Sequence, residues 1–190
     1  SPVGGYFKSG KSAVTLWVSH EHVRAVPGGT GAAKCGGNYA ASLEPQAVGI
    51  QHGCDQVLFL DAVERKWIEE LGGMNIMFVF NDGSIITPPL NGSILPGVTR
   101  DSLRLVAQDA GYTVKEAPDS FAQWMEDARS GKLQDAFACG TAAVVAPSLA
   151  TAELPVLLTP AAAGPWALGT VALAALTLLR AGTFRRLTSF

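Results

Sequence analysis

Apolar and polar residues alternate through residues 12–20, SAVTLWVSH, a stretch rich in Val, Thr and Trp. A period of two among β-formers predicts a strand. Past a run of glycines, residues 38–53, NYAASLEPQAVGIQHG, read as a helix that Gly53 stops. Pro45 lacks an N–H and is expected to kink or split it. Three apolar stretches follow at 56–61, 66–70 and 74–81, each predicted as a strand. Asn81-Asp82-Gly83 is a hairpin signal, and 84–87 returns from it. Residues 95–111 form a predicted helix: Pro96 and Gly97 break the chain, Thr99 or Asp101 can cap, and Gly111 ends it. A strand at 112–117 and a helix at 120–131 come next. Two apolar strands, 134–140 and 141–147, flank a Gly-Thr turn. Residues 148–164 read as an irregular connection, and 166–182 as a last helix. Strands in runs broken by helices predict an α+β fold, a mixed barrel-like sheet with flanking helices, rather than repeated βαβ units.

Composition narrows the function classes. A chain of 190 residues has one compact domain as its prior and can bury a sizeable core. Charged residues are 16% of the chain and hydrophobic ones 48%; an ordinary soluble domain carries roughly 25% charge. Net charge is −2, with no Lys/Arg block, so the electrostatic footprint of a nucleic-acid binder is missing. Cys35, Cys54 and Cys139 are odd in number and lack paired spacing, which points to a reduced, cytoplasmic compartment. No Cys/His quartet suggests zinc, and His20 and His22, two apart and placed on one strand face, read as ordinary half-exposed histidines rather than ligands. Residues 165–179, PWALGTVALAALTLL, are apolar throughout. A membrane span needs about 20 residues, so this run is expected to be a buried helix, not an anchor. Glu153 is the one charge between 148 and 179, and a helix apolar all round needs covering all round.

The chemistry centres on residues 28–43, GGTGAAKCGGNYAASL, with five glycines and a single lysine. A Walker loop fails, because Lys34 precedes Cys35 and Gly36; a Rossmann fingerprint fails as well. Alone, the stretch reads as tight turns with Lys34 in solvent. Tyr39 lies five residues on, and Glu70 sits on a predicted strand. PGVTR (96–100) opens a helix whose free N–H groups and Thr hydroxyl can hold a phosphate, and CGTAA (139–143) offers a second such turn. An amine, a phenol, a carboxylate and two anion nests match the needs of pyridoxal phosphate. Taken singly, each residue has a plainer role: Tyr39 packs a helix start, Thr99 caps, and Met74 and Asn75 pack a strand. One of Glu69 and Glu70 is expected to face solvent, and register decides which.

GGTGAAKCGGNYAASL, EELGGMNIMFVF, TPPLNGSILPGVTRDSL and AFACGTAAVVAP, in this order and spacing, resemble the branched-chain amino acid aminotransferases of fold type IV, their actinobacterial members most of all. The resemblance is dense over 5–147, weaker through 148–165, and returns at LLRAGTFRRL. It implies the large pyridoxal phosphate-binding domain over 1–190, with 148–165 a diverged connection. By position, Lys34 would be the Schiff-base lysine and proton carrier, Glu70 would hold the pyridine nitrogen protonated, and Tyr39 would donate to the ring 3-oxygen. Val98, Thr99 and Thr141 would hold the phosphate, and the backbone of Thr141 and Ala142 would receive the substrate carboxylate. Position 73 is Gly where many members have Thr. The resemblance further implies transfer of an amino group between a branched-chain amino acid and a 2-oxo acid. The family's small N-terminal domain is missing from the sequence. Because the C-terminal helix is apolar all round, a homodimer, a complementing chain or a rearranged domain is expected to cover it. Two other outcomes fit the same residues: a shortened descendant running another reaction on the same cofactor, and a non-catalytic scaffold.

Overall fold

Val14, Leu16 and Val18 all point into the interior from β1 (Val14–Ser19), as their alternation predicts. A computed structural model describes residues 14–140 and the backbone of residues 144–151. After β1 come α1 (Gly36–Gln51), β2 (Gln56–Leu60), β3 (Ile68–Leu71), β4 (Asn75–Phe80), β5 (Ser84–Thr87), α2 (Val98–Asp109), β6 (Thr113–Glu116), α3 (Phe121–Arg129), β7 (Leu133–Gly140) and β8 (Val144–Thr151). The strands make an eight-stranded sheet in the order β3-β2-β1-β8-β7-β4-β5-β6. Its pairs are mixed: β1 runs parallel to β2 and β8, whereas β7 runs antiparallel to β4 and β8. The fold is thus α+β with a mixed sheet, as expected. Edge strands β3 and β6 are not paired with each other among the described residues.

Two apolar cores lie on opposite faces of β4. Ile76 and Phe78 join Leu16, Leu58, Ile68 and Trp124 in one; Met77 and Val79 join Ile85, Leu103 and Phe137 in the other. Burial on both faces explains why MNIMFVFN reads as a continuous apolar run instead of an alternating one. The hairpin signal holds: Gly83 takes φ +78°, and its N–H donates to Phe80 O at 3.1 Å, closing the turn.

Several expectations change. α1 is one helix through Pro45, because that residue lies on the buried face and tertiary packing outweighs the lost N–H. The helix is inverted in composition. It buries Asn38, Ser42, Pro45 and Gly49, while Tyr39, Leu43 and Ile50 are exposed. Small residues let it sit close on the sheet: a Cβ on Gly49 would lie 3.0 Å from Trp17 Cβ. The N-cap of α2 is Gly97, with no side-chain cap, so neither Thr99 nor Asp101 fills that role. β8 runs on to Thr151, four residues into the stretch read as irregular, because β1 pairs with it from Val14↔Ser148 to Trp17↔Thr151. A partner so distant in sequence leaves no local signal. β1 ends at Ser19, so His20 and His22 lie beyond it and do not share a strand face. The predicted helix at 166–182 and the connection beyond Thr151 lie outside the described residues. Among the described residues, no helix is long and apolar enough to cross a membrane.

Candidate active site

The glycine stretch is shaped by one asparagine. Asn38, buried in the first turn of α1, donates through Nδ2 to Thr30 O at 2.8 Å and Ala33 O at 3.0 Å. Thr30 Oγ1 donates to Asn38 Oδ1 at 2.8 Å. These bonds hold the turn closed and leave Lys34 at its exposed end. The Lys34 amine lies 3.2 Å from the Tyr39 hydroxyl. Gly31 is fixed by space: a Cβ there would stand 2.3 Å from Ser93 O, a distance no side chain tolerates. Cys35 is the N-cap of α1, and the Gly37 amide, the largest influence, holds its thiol below the ordinary value.

Glu70 is 2% exposed, and Arg24, 4% exposed, meets its Oε1 at 2.8 Å. The same oxygen accepts from Leu95 N at 2.8 Å. Asn75 Nδ2 reaches Oε2 at 3.4 Å and Leu95 O at 2.9 Å. Burial pushes the Glu70 carboxyl up to about 7; Arg24, Leu95 N–H and Lys34 all pull the other way. Lys34 is therefore within electrostatic reach of Glu70. The expectation that one of Glu69 and Glu70 faces water fails: Glu69 is 4% exposed too, because residues 88–97 cover both.

Residues 88–97 lead from β5 into α2. Gly97 packs so close to Asn75 that a Cβ would fall 2.3 Å from its Oδ1. The first amide to bond within α2 is Asp101 N, to Gly97 O. The amides of Val98, Thr99 and Arg100 thus have no carbonyl in the helix, and the helix dipole adds to their pull on an anion. Val98 is exposed and Thr99 half-buried. Thr141 and Ala142 fall between Gly140 and Val144, which pair across β7 and β8, and lie outside the described residues.

Of the residues singled out in the sequence, Lys34 and Tyr39 are brought into contact, Glu70 feels the charge of Lys34, and the start of α2 is tied to Glu70 through Asn75 and Leu95. The profile of the Amino-transferase class IV family matches residues 6–150. The chain belongs to that family.

Curated relatives of this class IV aminotransferase chain include the branched-chain-amino-acid aminotransferase of Mycolicibacterium smegmatis, 56% identical over 150 residues, covering 77% of this chain and 41% of that protein. The probable branched-chain-amino-acid aminotransferase of Streptomyces coelicolor is 59% identical over 147 residues, covering 77% and 40%. This chain thus spans about two-fifths of their length. Among solved structures, the Escherichia coli branched-chain amino acid aminotransferase superposes with a TM-score of 0.75 at 28% identity, over 94% of this chain and 55% of that one. A second solved branched-chain amino acid aminotransferase, complexed with N-(5'-phosphopyridoxyl)-L-glutamate, gives 0.69 at 30% identity, over 86% and 51%.

Three site residues escape sequence reasoning. Arg24 sits in the segment after β1 with no periodicity to mark it. Asn75, read as strand packing, instead bonds Glu70 and Leu95 O. Leu95 contributes only its backbone, which leaves no trace in side-chain pattern. Cys139, opposite Asn75 on β7, is a buried thiol that burial pushes up to about 12, so it stays protonated at neutral pH.

Proposed function

We propose that this chain is the pyridoxal phosphate-binding domain, over 1–190, of a cytoplasmic aminotransferase that moves an amino group between a branched-chain amino acid and a 2-oxo acid. One observation carries the reading. An exposed amine and a phenol stand 3.2 Å apart, within electrostatic reach of a buried carboxylate that an arginine supports. The residues fit a phosphorylated pyridine aldehyde. Lys34 offers the amine that condenses with an aldehyde. Glu70 offers a carboxylate shielded from water for a ring nitrogen. The uncapped start of α2 offers amides and the Thr99 hydroxyl for a phosphate.

When bound, the cofactor supplies an electron-withdrawing ring that stabilises negative charge next to the substrate α-carbon. The chain's own residues do the rest. Lys34 Nζ would take the proton from the substrate α-carbon and deliver it to the cofactor carbon that had carried the aldehyde oxygen. Tyr39 Oη takes a hydrogen bond from the ammonium form of Lys34 and gives one to the neutral amine, so it orients Nζ in both states. Glu70 must be ionised to hold a ring N–H⁺, and Arg24 favours that form against burial. Val98 and Thr99 anchor the phosphate end, and Thr141 with Ala142 receive the substrate carboxylate.

The test is direct. Full chain mixed with pyridoxal phosphate should give a visible absorbance band. Borohydride should then fix the cofactor on the peptide that contains Lys34, and Lys34→Ala should lose the covalent adduct. Leucine with 2-oxoglutarate should yield the leucine-derived keto acid. Absence of the band, or labelling of surface lysines alone, would overturn the reading.

A further inference from the structure

We propose that Glu69 is a positioning residue: through Asn91 it clamps residues 88–97 over the edge of the sheet and so sets the amino end of α2 relative to Glu70. The proposal rests on the cofactor reading above for its effect on binding, but not for its geometry. Neighbouring residues on a strand leave it on opposite faces. Glu69 and Glu70 are such neighbours on β3, an edge strand, and the same segment bonds both. Asn91 Nδ2 donates to Glu69 Oε1 at 2.8 Å, and Leu95 N donates to Glu70 Oε1 at 2.8 Å. Residues 88–97 therefore pass around the edge of β3.

Asn91 transmits the hold. Its amide is polarised at both ends: Nδ2 on Glu69, and Oδ1 accepting from Ser93 N at 2.9 Å. Ser93 O in turn accepts from Arg24 Nη1 at 2.8 Å, and two residues later Leu95 reaches Glu70 and Asn75. Gly97 then starts α2. A carboxylate 4% exposed has no use for burial unless something pairs with it. The Asn91 amide is that partner, and it opposes the rise that burial imposes on Glu69. Glu69 touches no group of the reaction; it acts only by where it keeps the segment.

The experiment compares Glu69→Ala, Asn91→Ala, the double variant and Glu69→Gln, all in the full chain. Pyridoxal phosphate is titrated by absorbance, and hydrogen exchange is read on amides 93–99. Loss of one charge-assisted hydrogen bond corresponds to about a tenfold weaker cofactor affinity. That loss is expected in both alanine variants, with no further loss in the double variant because both break one path. Glu69→Gln keeps an oxygen for Asn91 and should stay within about twofold of the parent. Exchange at 93–99 should quicken in the alanine variants and not in Glu69→Gln. The proposal is overturned if Glu69→Gln falls as far as Glu69→Ala, or if exchange at 93–99 is unchanged in Glu69→Ala. A parent chain that fails to bind the cofactor sinks the functional reading instead, and the exchange measurement still decides the role of Glu69.

Discussion

Two buried arginines hold residues 88–97 and do different work. Arg24 bonds Ser93 O at 2.8 Å in the middle of the segment, and Arg100 bonds Pro88 O at 3.0 Å at its start. Their carboxylate partners differ. Glu70 is 2% exposed, and its charge survives burial only with help from Arg24. Glu116 has a side chain 31% exposed, is shared with Arg104, and keeps contact with water. The same guanidinium chemistry thus serves in one place to hold a charge ready for a ligand and in the other to tie a helix to a strand. What separates the two is the solvent around the acid, not the arginine.

The largest effect should come from breaking the dry pair. Arg24→Met leaves Glu70 buried without its partner and should cost about 3 kcal/mol or more in urea unfolding, with loss of cofactor binding. A cost no greater than that of removing the Glu116 charge would erase the distinction between the two pairs. Gly31→Ala should come next. It drives a methyl into Ser93 O and should cost about 1–3 kcal/mol, read as a lowered melting temperature, with weaker cofactor binding because residues 88–97 shift.

The pH response sharpens the contrast further. Glu70 titrates near 7 when folded and near 4.5 otherwise, so the folded chain holds that proton more tightly. Its stabilising contribution is full below 4.5 and is lost as pH rises through about 7. Cofactor affinity should move the opposite way, falling up to about tenfold per pH unit below 7 as Glu70 takes a proton. Glu70→Gln should remove this dependence in both unfolding and titration experiments. The smallest effect belongs to Glu116→Gln. Because this acid keeps contact with water, the change should alter stability by about 1 kcal/mol or less, and added salt should shrink the difference.

How much of this was legible in the sequence depended on distance along the chain. The hairpin at Asn81-Asp82-Gly83, the strand at 74–81 and the Ser120 start of α3 follow from local rules, and all three appear. Lys34 and Tyr39, five apart, were singled out by resemblance, and their contact comes from the structure. Glu70 could be named by resemblance, but its surroundings could not be read. Alternation predicts one wet face for a two-glutamate strand; it cannot foresee a segment from 88–97 wrapping around the edge. Arg24 and Asn75 escaped for the same reason, since each acts across a long separation on groups that are partly backbone. The extension of β8 was hidden because its partner is β1, at the far end of the described chain.

Arg24 has a consequence for the order in which the protein assembles. Its bond to Ser93 closes a separation of 69 residues, and such a closure costs chain entropy before it gives anything back. The β4–β5 hairpin needs only residues 81–83 to turn around. Contacts of short range form early and those of long range late. A growing or refolding chain therefore acquires its hairpin while the ionic knot is still open, and a competent site comes only after that knot has closed.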